Sequence, residues 1–184
     1  MLFTSILLSL VAQAAVSACP TAIITNDASV RVLGAFSNMR YTEEHAYGYT
    51  VDLWRAGDCL FGFLLASEGL AGDTPTGLLE QVQYNEKTGA LSFRARLTMG
   101  LFSDRERQYV PSRDQFEFSG TLAGGTLRGT LRRANALTPQ APPIVESVVL
   151  RASKEEAQSM IAATKFGEWQ QRAAEILQRR GPKW

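Results

Sequence analysis

The sequence predicts a mainly β protein: an antiparallel meander of about eight strands forming a barrel or a strongly bent sheet, followed by a C-terminal amphipathic helix. Three observations predict it. Short runs of alternating apolar and polar residues recur through 30–152, divided by turns rich in Gly, Asn and Asp. Residues 153–180 then switch to helical spacing. Finally, the hairpin written in 44–67, EHAYGYTVDLWRAGDCLFGFLLAS, is apolar on both faces. A half-solvated sheet would show one polar face, so this hairpin needs cover inside the sheet and outside it. Closing a meander also removes exposed strand edges, which favours the barrel.

Tyr47, Tyr49, Val51 and Leu53 share one face of the hairpin, continued by Leu60, Leu64 and Ala66 after a turn around Gly57. Trp54, Phe61, Phe63 and Leu65 take the other. The helical stripe Phe166, Trp169, Ala173, Ile176 and Leu177 is the candidate outer cover. It ties the two ends of the chain together.

At 184 residues, 45% hydrophobic and 20% charged, the chain suits one domain able to bury its own core. Nineteen basic and eighteen acidic side chains nearly cancel, so no long-range field draws it to nucleic acid. Residues 1–18 carry no charge, have an apolar centre and end in small residues before Cys19, as a secretory signal peptide does. Val16-Ser17-Ala18-Cys19 resembles the lipobox of bacterial lipoproteins, which implies a lipid on Cys19. Ordinary cleavage at the same bond leaves Cys19 free to pair with Cys59, the only other cysteine, in an oxidising compartment. Both alternatives stay open at this point. If Cys19 is lipidated, Cys59 becomes a lone small hydrophobe.

Residues 19–29 read as a polar tether and 30–36 as the first strand, with the hairpin next. Three glycines and a proline make 68–77 a loop. A strand at 79–84 joins another at 90–98 through the turn 85–89, where Gly89 supplies the left-handed conformation. Leu91, Phe93, Ala95 and Leu97 face one way, and Arg94 and Arg96 the other. Residues 99–114 form a long insertion, 116–122 and 126–133 a second strong hairpin around Gly124-Gly125, 134–143 a proline-rich connector and 144–151 the last strand. Ser153 opens the helix, with Glu156 in the capping-box position, Gly167 as a candidate kink and Gly181-Pro182 as the stop.

A strand meander followed by a helix on its outer wall is similar to calycins such as the lipocalins. The likeness is one of architecture, because the lipocalin Gly-x-Trp signature is replaced by Gly34-Ala35-Phe36. An outer-membrane barrel is the competing architecture. It is disfavoured because the strands read as shorter than the roughly nine to eleven residues needed to cross lipid, and because the chain ends on a helix.

No nucleophile elbow, zinc motif, phosphate loop or paired-cysteine motif occurs. His45 is the only histidine, which removes multi-histidine metal sites and argues against a catalytic role. Glu68, Asp73 and Glu80 flank the first loop and are candidates for a carboxylate pair or calcium site, although their spacing is not that of a calcium loop. Asp52 sits in mid-strand among apolar residues and is expected to face a partner such as an arginine. Arg105, Arg107 and Arg113 are interleaved with Asp104, Glu106 and Asp114, as on a solvated loop.

The functional expectation is an exported bacterial, non-enzymatic binding protein of the cell envelope, without cofactor or metal. It would hold a small apolar ligand or an envelope partner protein, touching the membrane only through a lipid on Cys19. The ligand-binding candidates are Tyr47, Tyr49, Trp54, Phe61 and Phe63, with the hairpin lining the interior and the loops 68–77 and 99–114 at the rim. Aromatic residues are equally what a small barrel needs to fill itself. The alternatives are a hydrolase using carboxylates such as Asp52, Glu68 or Asp73, and a structural or inhibitory interaction protein with a filled barrel.

Overall fold

The long strands turn one apolar face inward, and antiparallel register carries that face from strand to strand around a nearly closed barrel. The computed structural model describes residues 17–18, 24–70, 74–103 and 109–184. In chain order the strands are β1 (Ser17–Ala18), β2 (Arg31–Ser37), β3 (Arg40–Tyr41), β4 (His45–Ala56), β5 (Cys59–Leu70), β6 (Thr76–Leu78), β7 (Glu80–Tyr84), β8 (Ala90–Leu97), β9 (Leu101–Phe102), β10 (Val110–Pro111), β11 (Asp114–Ala123), β12 (Thr126–Asn135) and β13 (Ile144–Ala152). The helices α1 (Lys154–Gln158) and α2 (Phe166–Arg180) follow. The main sheet is ordered β1-β7-β8-β11-β12-β13-β2-β4-β5-β6, with β3 paired to β4. The expected mainly β meander, barrel-shaped and with a helix at its C-terminal end, is the fold observed.

One strand closes the barrel by changing partners. β6 pairs with β5, Leu79 N–H donates to Gly62 O at 2.9 Å, and β7 then pairs with β8. At the opposite seam β13 and β2 share only the pairs Arg151↔Ser37 and Ala152↔Phe36. The rest of the inner edge of β13 makes no ladder with β2.

The core has two layers, as the two-faced hairpin requires. Inside the barrel lie Tyr49, Val51, Leu53, Leu60, Leu64 and Ala66, packed with Leu91, Phe93, Leu97, Phe116, Phe118, Leu127 and Leu150. Phe93 and Phe118 stack across β8 and β11 at 5.0 Å. The Gly120↔Gly129 pair leaves room for the Phe118 ring, since a Cβ on either glycine would collide with it. Side chains therefore fill the interior. Outside, Ala35, Trp54, Phe61 and Phe63 pack against Met160, Ile161, Phe166, Trp169 and Ala173. The C-terminal stripe is indeed the cover for the first hairpin.

The sheet's other walls are charged outward: Arg94 and Arg132 both pair with Glu117, and Arg96 pairs with Glu80. This polarity, apolar within and charged without, is the inverse of a lipid-facing barrel. Strand length does not support that distinction, because β4 and β5 each run to 12 residues.

Several boundaries differ from expectation. The single helix over 153–180 is two helices. Ser153 accepts from Glu156 N–H to open α1, and the Ser159 hydroxyl donates back to Glu156 O at 2.8 Å as the chain leaves it. The break lets Met160 and Ile161 drop into the outer core. Gly167 is not a kink. It lies in the first turn of α2, where Asn26 approaches it, and its N–H donates to Asn26 O. The loop expected at 68–77 is shortened from both sides by β5 and β6, and the 99–114 insertion contains the ribbon β9–β10. Of the N-terminal segment, Ile24, Ala28 and Val30 pack against the outer core, and Ser29 bridges Lys165. The signal-peptide reading falls mostly on residues outside those described. Ser17 and Ala18, next to the expected cleavage bond, pair with Tyr84 and Gln83 of β7.

Candidate functional site

Trp169 anchors the outer layer. It lies in the first turn of α2, and its ring meets Phe61 at 4.7 Å, Phe63 at 5.4 Å, Trp54 at 5.5 Å and Phe166 at 5.9 Å. The register that places Trp54 opposite Phe61 and Asp52 opposite Phe63 holds these rings on one outer face. Trp54 Nε1 donates to Ile161 O at 3.2 Å, whereas the buried Trp169 Nε1 finds no acceptor among the described residues. Leaving such a donor unpaired costs about 1–3 kcal/mol. It marks a place where an acceptor is wanted.

Beside this cluster a cleft of about 750 Å³ opens between α2 and the strand that closes the barrel. Its floor is Phe61, Gly62, Leu78 and Leu79; its helical wall is Phe166, Trp169, Ala173, Ala174 and Leu177; Glu80, Gln81, Gln83 and Gln170 supply its polar groups. Local sequence explains the opening. Gly62 contributes bare backbone to the floor, and it must be glycine because a Cβ there would strike Asp52 O of β4. Ala173 and Ala174 are too short to fill the space beneath the helix. Gln81 takes a left-handed φ of 52° at the irregularity between Glu80 and Gln83, where the strand passes from one partner to the other. Small-molecule sites commonly enclose roughly 300–1,000 Å³ with mostly apolar walls and a few polar groups. This cleft has both properties.

The opposite flank of α2 covers a second pocket of about 360 Å³, lined by Asp52, Phe63, Leu65, Thr76, Ser159, Glu175, Ile176, Arg179 and Arg180. The arginine partner expected for Asp52 is not there. Its Oδ1 is buried without a hydrogen bond from any described residue. Burial, with a smaller contribution from the negative charge of Glu156, pushes its carboxyl up to about 7.

A third polar group closes one part of the barrel. Buried Asp114 accepts from Arg133 Nε at 3.1 Å, from Met99 N at 3.0 Å and from the Ser112 hydroxyl. Arg133 reaches Glu68 at 2.7 Å and lies over the Phe116 ring. The Tyr49 hydroxyl donates to Glu146 at 3.2 Å, and burial raises it well above the usual phenol range. Arg133 neutralises Asp114 and Glu68, and the remaining contacts are hydrogen bonds from neutral donors to carboxylates.

The sequence candidates are thus dispersed. Tyr49 is interior core, while Tyr47 is exposed and stacks on His45. Trp54, Phe61 and Phe63 face outward to the helix rather than into the barrel, and of these Phe61 lines the apolar cleft. Glu68 and Glu80 are each paired with an arginine and Asp73 is outside the described residues; Glu68 shares one open pocket with Glu146, and Asp52 shares another with Glu175. Among the described residues no cluster of His, Cys, Asp and Glu suits a metal ion. Cys59 is disulfide-bonded. Cys19 lies outside the described residues. The sequence reading missed Leu78, Gln81, Ala174 and the space they border, because room left by small side chains has no periodic signature. Comparison with protein-family models, curated proteins and solved structures gives no match, so these geometric features carry the functional argument.

Proposed function

We propose that this is a non-enzymatic binding protein of the bacterial cell envelope, holding a small elongated apolar ligand in the cleft beneath α2. The observation that carries the reading is a 750 Å³ apolar cleft beside a barrel whose interior is already filled. The ligand's body lies along Phe61, Leu78, Ala173 and Leu177, and one acceptor atom meets Trp169 Nε1. Export is supported by the apolar, uncharged 1–18 segment and by a disulfide-bonded Cys59, a state that persists in oxidising compartments. In this reading Cys19 is its partner. The test is native mass spectrometry of the protein purified from its own envelope, alongside an Ala174→Trp variant. A bound mass present in the wild type and lost in the variant supports the cleft. A bound mass that survives in the folded variant, or no bound mass with either protein, refutes it.

The envelope-partner reading keeps one observation of its own. Among the described residues the β2-facing edge of β13 has no ladder partner before Arg151, and Ile144 and Val145 are exposed there. An extended partner segment could add to such an edge. New amide-exchange protection at 144–150 in an envelope extract would support it; unchanged exchange there would remove it.

A further inference from the structure

Away from the charged residues of α2, the pocket on that helix's other flank is lined by polar oxygens, two of them on the buried Asp52 and Thr76 and one on the exposed Ser159. Asp52 projects outward from β4 and is only 8% exposed, and its Oδ1 has no hydrogen-bond partner among the described residues. The Thr76 hydroxyl donates to Thr74 O at 3.2 Å, and the Ser159 hydroxyl to Glu156 O at 2.8 Å. With those protons committed, both oxygens offer only lone pairs to a ligand. Phe63, directly across the ladder from Asp52, forms an aromatic wall. On α2, Glu175, Arg179 and Arg180 are exposed, and neither arginine makes an ion pair among the described residues.

Three acceptors beside an aromatic ring, one of them a carboxylate, suit a compact cation with three donors. A primary ammonium has that form, and a ring face adds cation–π attraction. With Asp52 ionised, a simple anion would meet only lone pairs from these three groups. The two unpaired guanidiniums, in turn, suit an anionic group. We propose that this pocket binds a small zwitterion, with its primary ammonium on Asp52, Thr76 and Ser159 and its anionic end at Arg179 and Arg180.

The site is separate from the apolar cleft and stands whether or not that cleft is occupied. Glu156 of α1 adds its negative charge at Asp52, and Glu175, Arg179 and Arg180 of α2 line the same pocket. The two glutamates reinforce the preference for an ammonium. A seated ammonium favours the ionised carboxylate, so it draws the Asp52 midpoint down from about 7.

Calorimetric titration of the full chain with γ-aminobutyrate, n-butylammonium and butyrate tests the proposal. The expected order is γ-aminobutyrate tightest, butylammonium weaker and butyrate without binding. Asp52→Asn weakens γ-aminobutyrate binding at least about tenfold. Carbon-13 titration of the wild-type Asp52 carboxyl shows a lower midpoint at saturating γ-aminobutyrate. Replacing both Arg179 and Arg180 by Gln brings γ-aminobutyrate down to the level of butylammonium. The proposal is overturned if none of the probes binds, if butyrate matches γ-aminobutyrate, or if the Asp52 midpoint does not move. Unchanged affinity in the Asp52→Asn protein, or in the double-Gln protein, overturns it too.

Discussion

Replacing Asp52 by Asn should make the protein more stable at neutral pH and change how its stability depends on pH. In the folded chain the carboxyl is pushed up to about 7, from 3.8 when unfolded. The folded state therefore holds a proton that the unfolded state releases. The stability linked to that proton is complete below the unfolded midpoint and is lost as pH rises through the folded one. At about 1.4 kcal/mol per pH unit the full loss is about 4 kcal/mol. Between about pH 5 and pH 8 the remaining part is about 2.5 kcal/mol. Asn keeps the size of the protonated side chain and cannot ionise. Urea unfolding of both proteins across this range should show the wild type losing stability relative to Asp52→Asn by about that amount. Parallel pH profiles would mean that Asp52 titrates alike in both states, refuting the claim that it is buried and unpaired.

Three further outcomes follow from the packing. Trp169→Ala should cost about 3–5 kcal/mol by thermal or urea unfolding, because it empties the centre of the outer layer; a cost under about 1 kcal/mol would show that α2 is not held there. Arg133→Ala leaves the Asp114 carboxylate, 2% exposed, without its cation and should cost about 3–5 kcal/mol, measured in the same way. Cys59→Ser should cost about 2–5 kcal/mol under non-reducing conditions and nothing once both proteins are reduced, by comparison of their melting temperatures.

The fold was legible where one residue type repeats with one period. Leu91, Phe93, Ala95 and Leu97 alternate without interruption, and β8 points them all inward. The two-faced hairpin required two layers before either was seen, and Trp169 was already on the stripe that supplies the outer one. Features without a period were hidden. The helix break depends on Met160 and Ile161 gaining burial that a continuous helix would deny them, a tertiary effect that overrides local spacing. The extension of β5 across 68–70 depends on cross-strand partners in β4 such as Tyr47↔Glu68, not on local composition. The site was less legible still. Phe61 and Phe63 are equally aromatic in the sequence, yet which ring borders the apolar cleft depends on the short Ala173 and Ala174 of the helix above, whose contribution is what they lack.

The central claim is that the apolar cleft, and not the barrel interior, receives the ligand. Its most direct test is a nitrogen-15 spectrum of the tryptophan indoles during titration with lauric acid, which has an apolar chain and an acceptor head. Trp169 lines the cleft and its buried Nε1–H has no acceptor among the described residues, whereas Trp54 Nε1–H is already bonded to Ile161 O. The account predicts a saturable downfield shift of the Trp169 indole proton, with Trp54 and the interior residues Phe93 and Phe118 little changed. An unmoved Trp169 signal, or shifts centred on the interior residues, would contradict it.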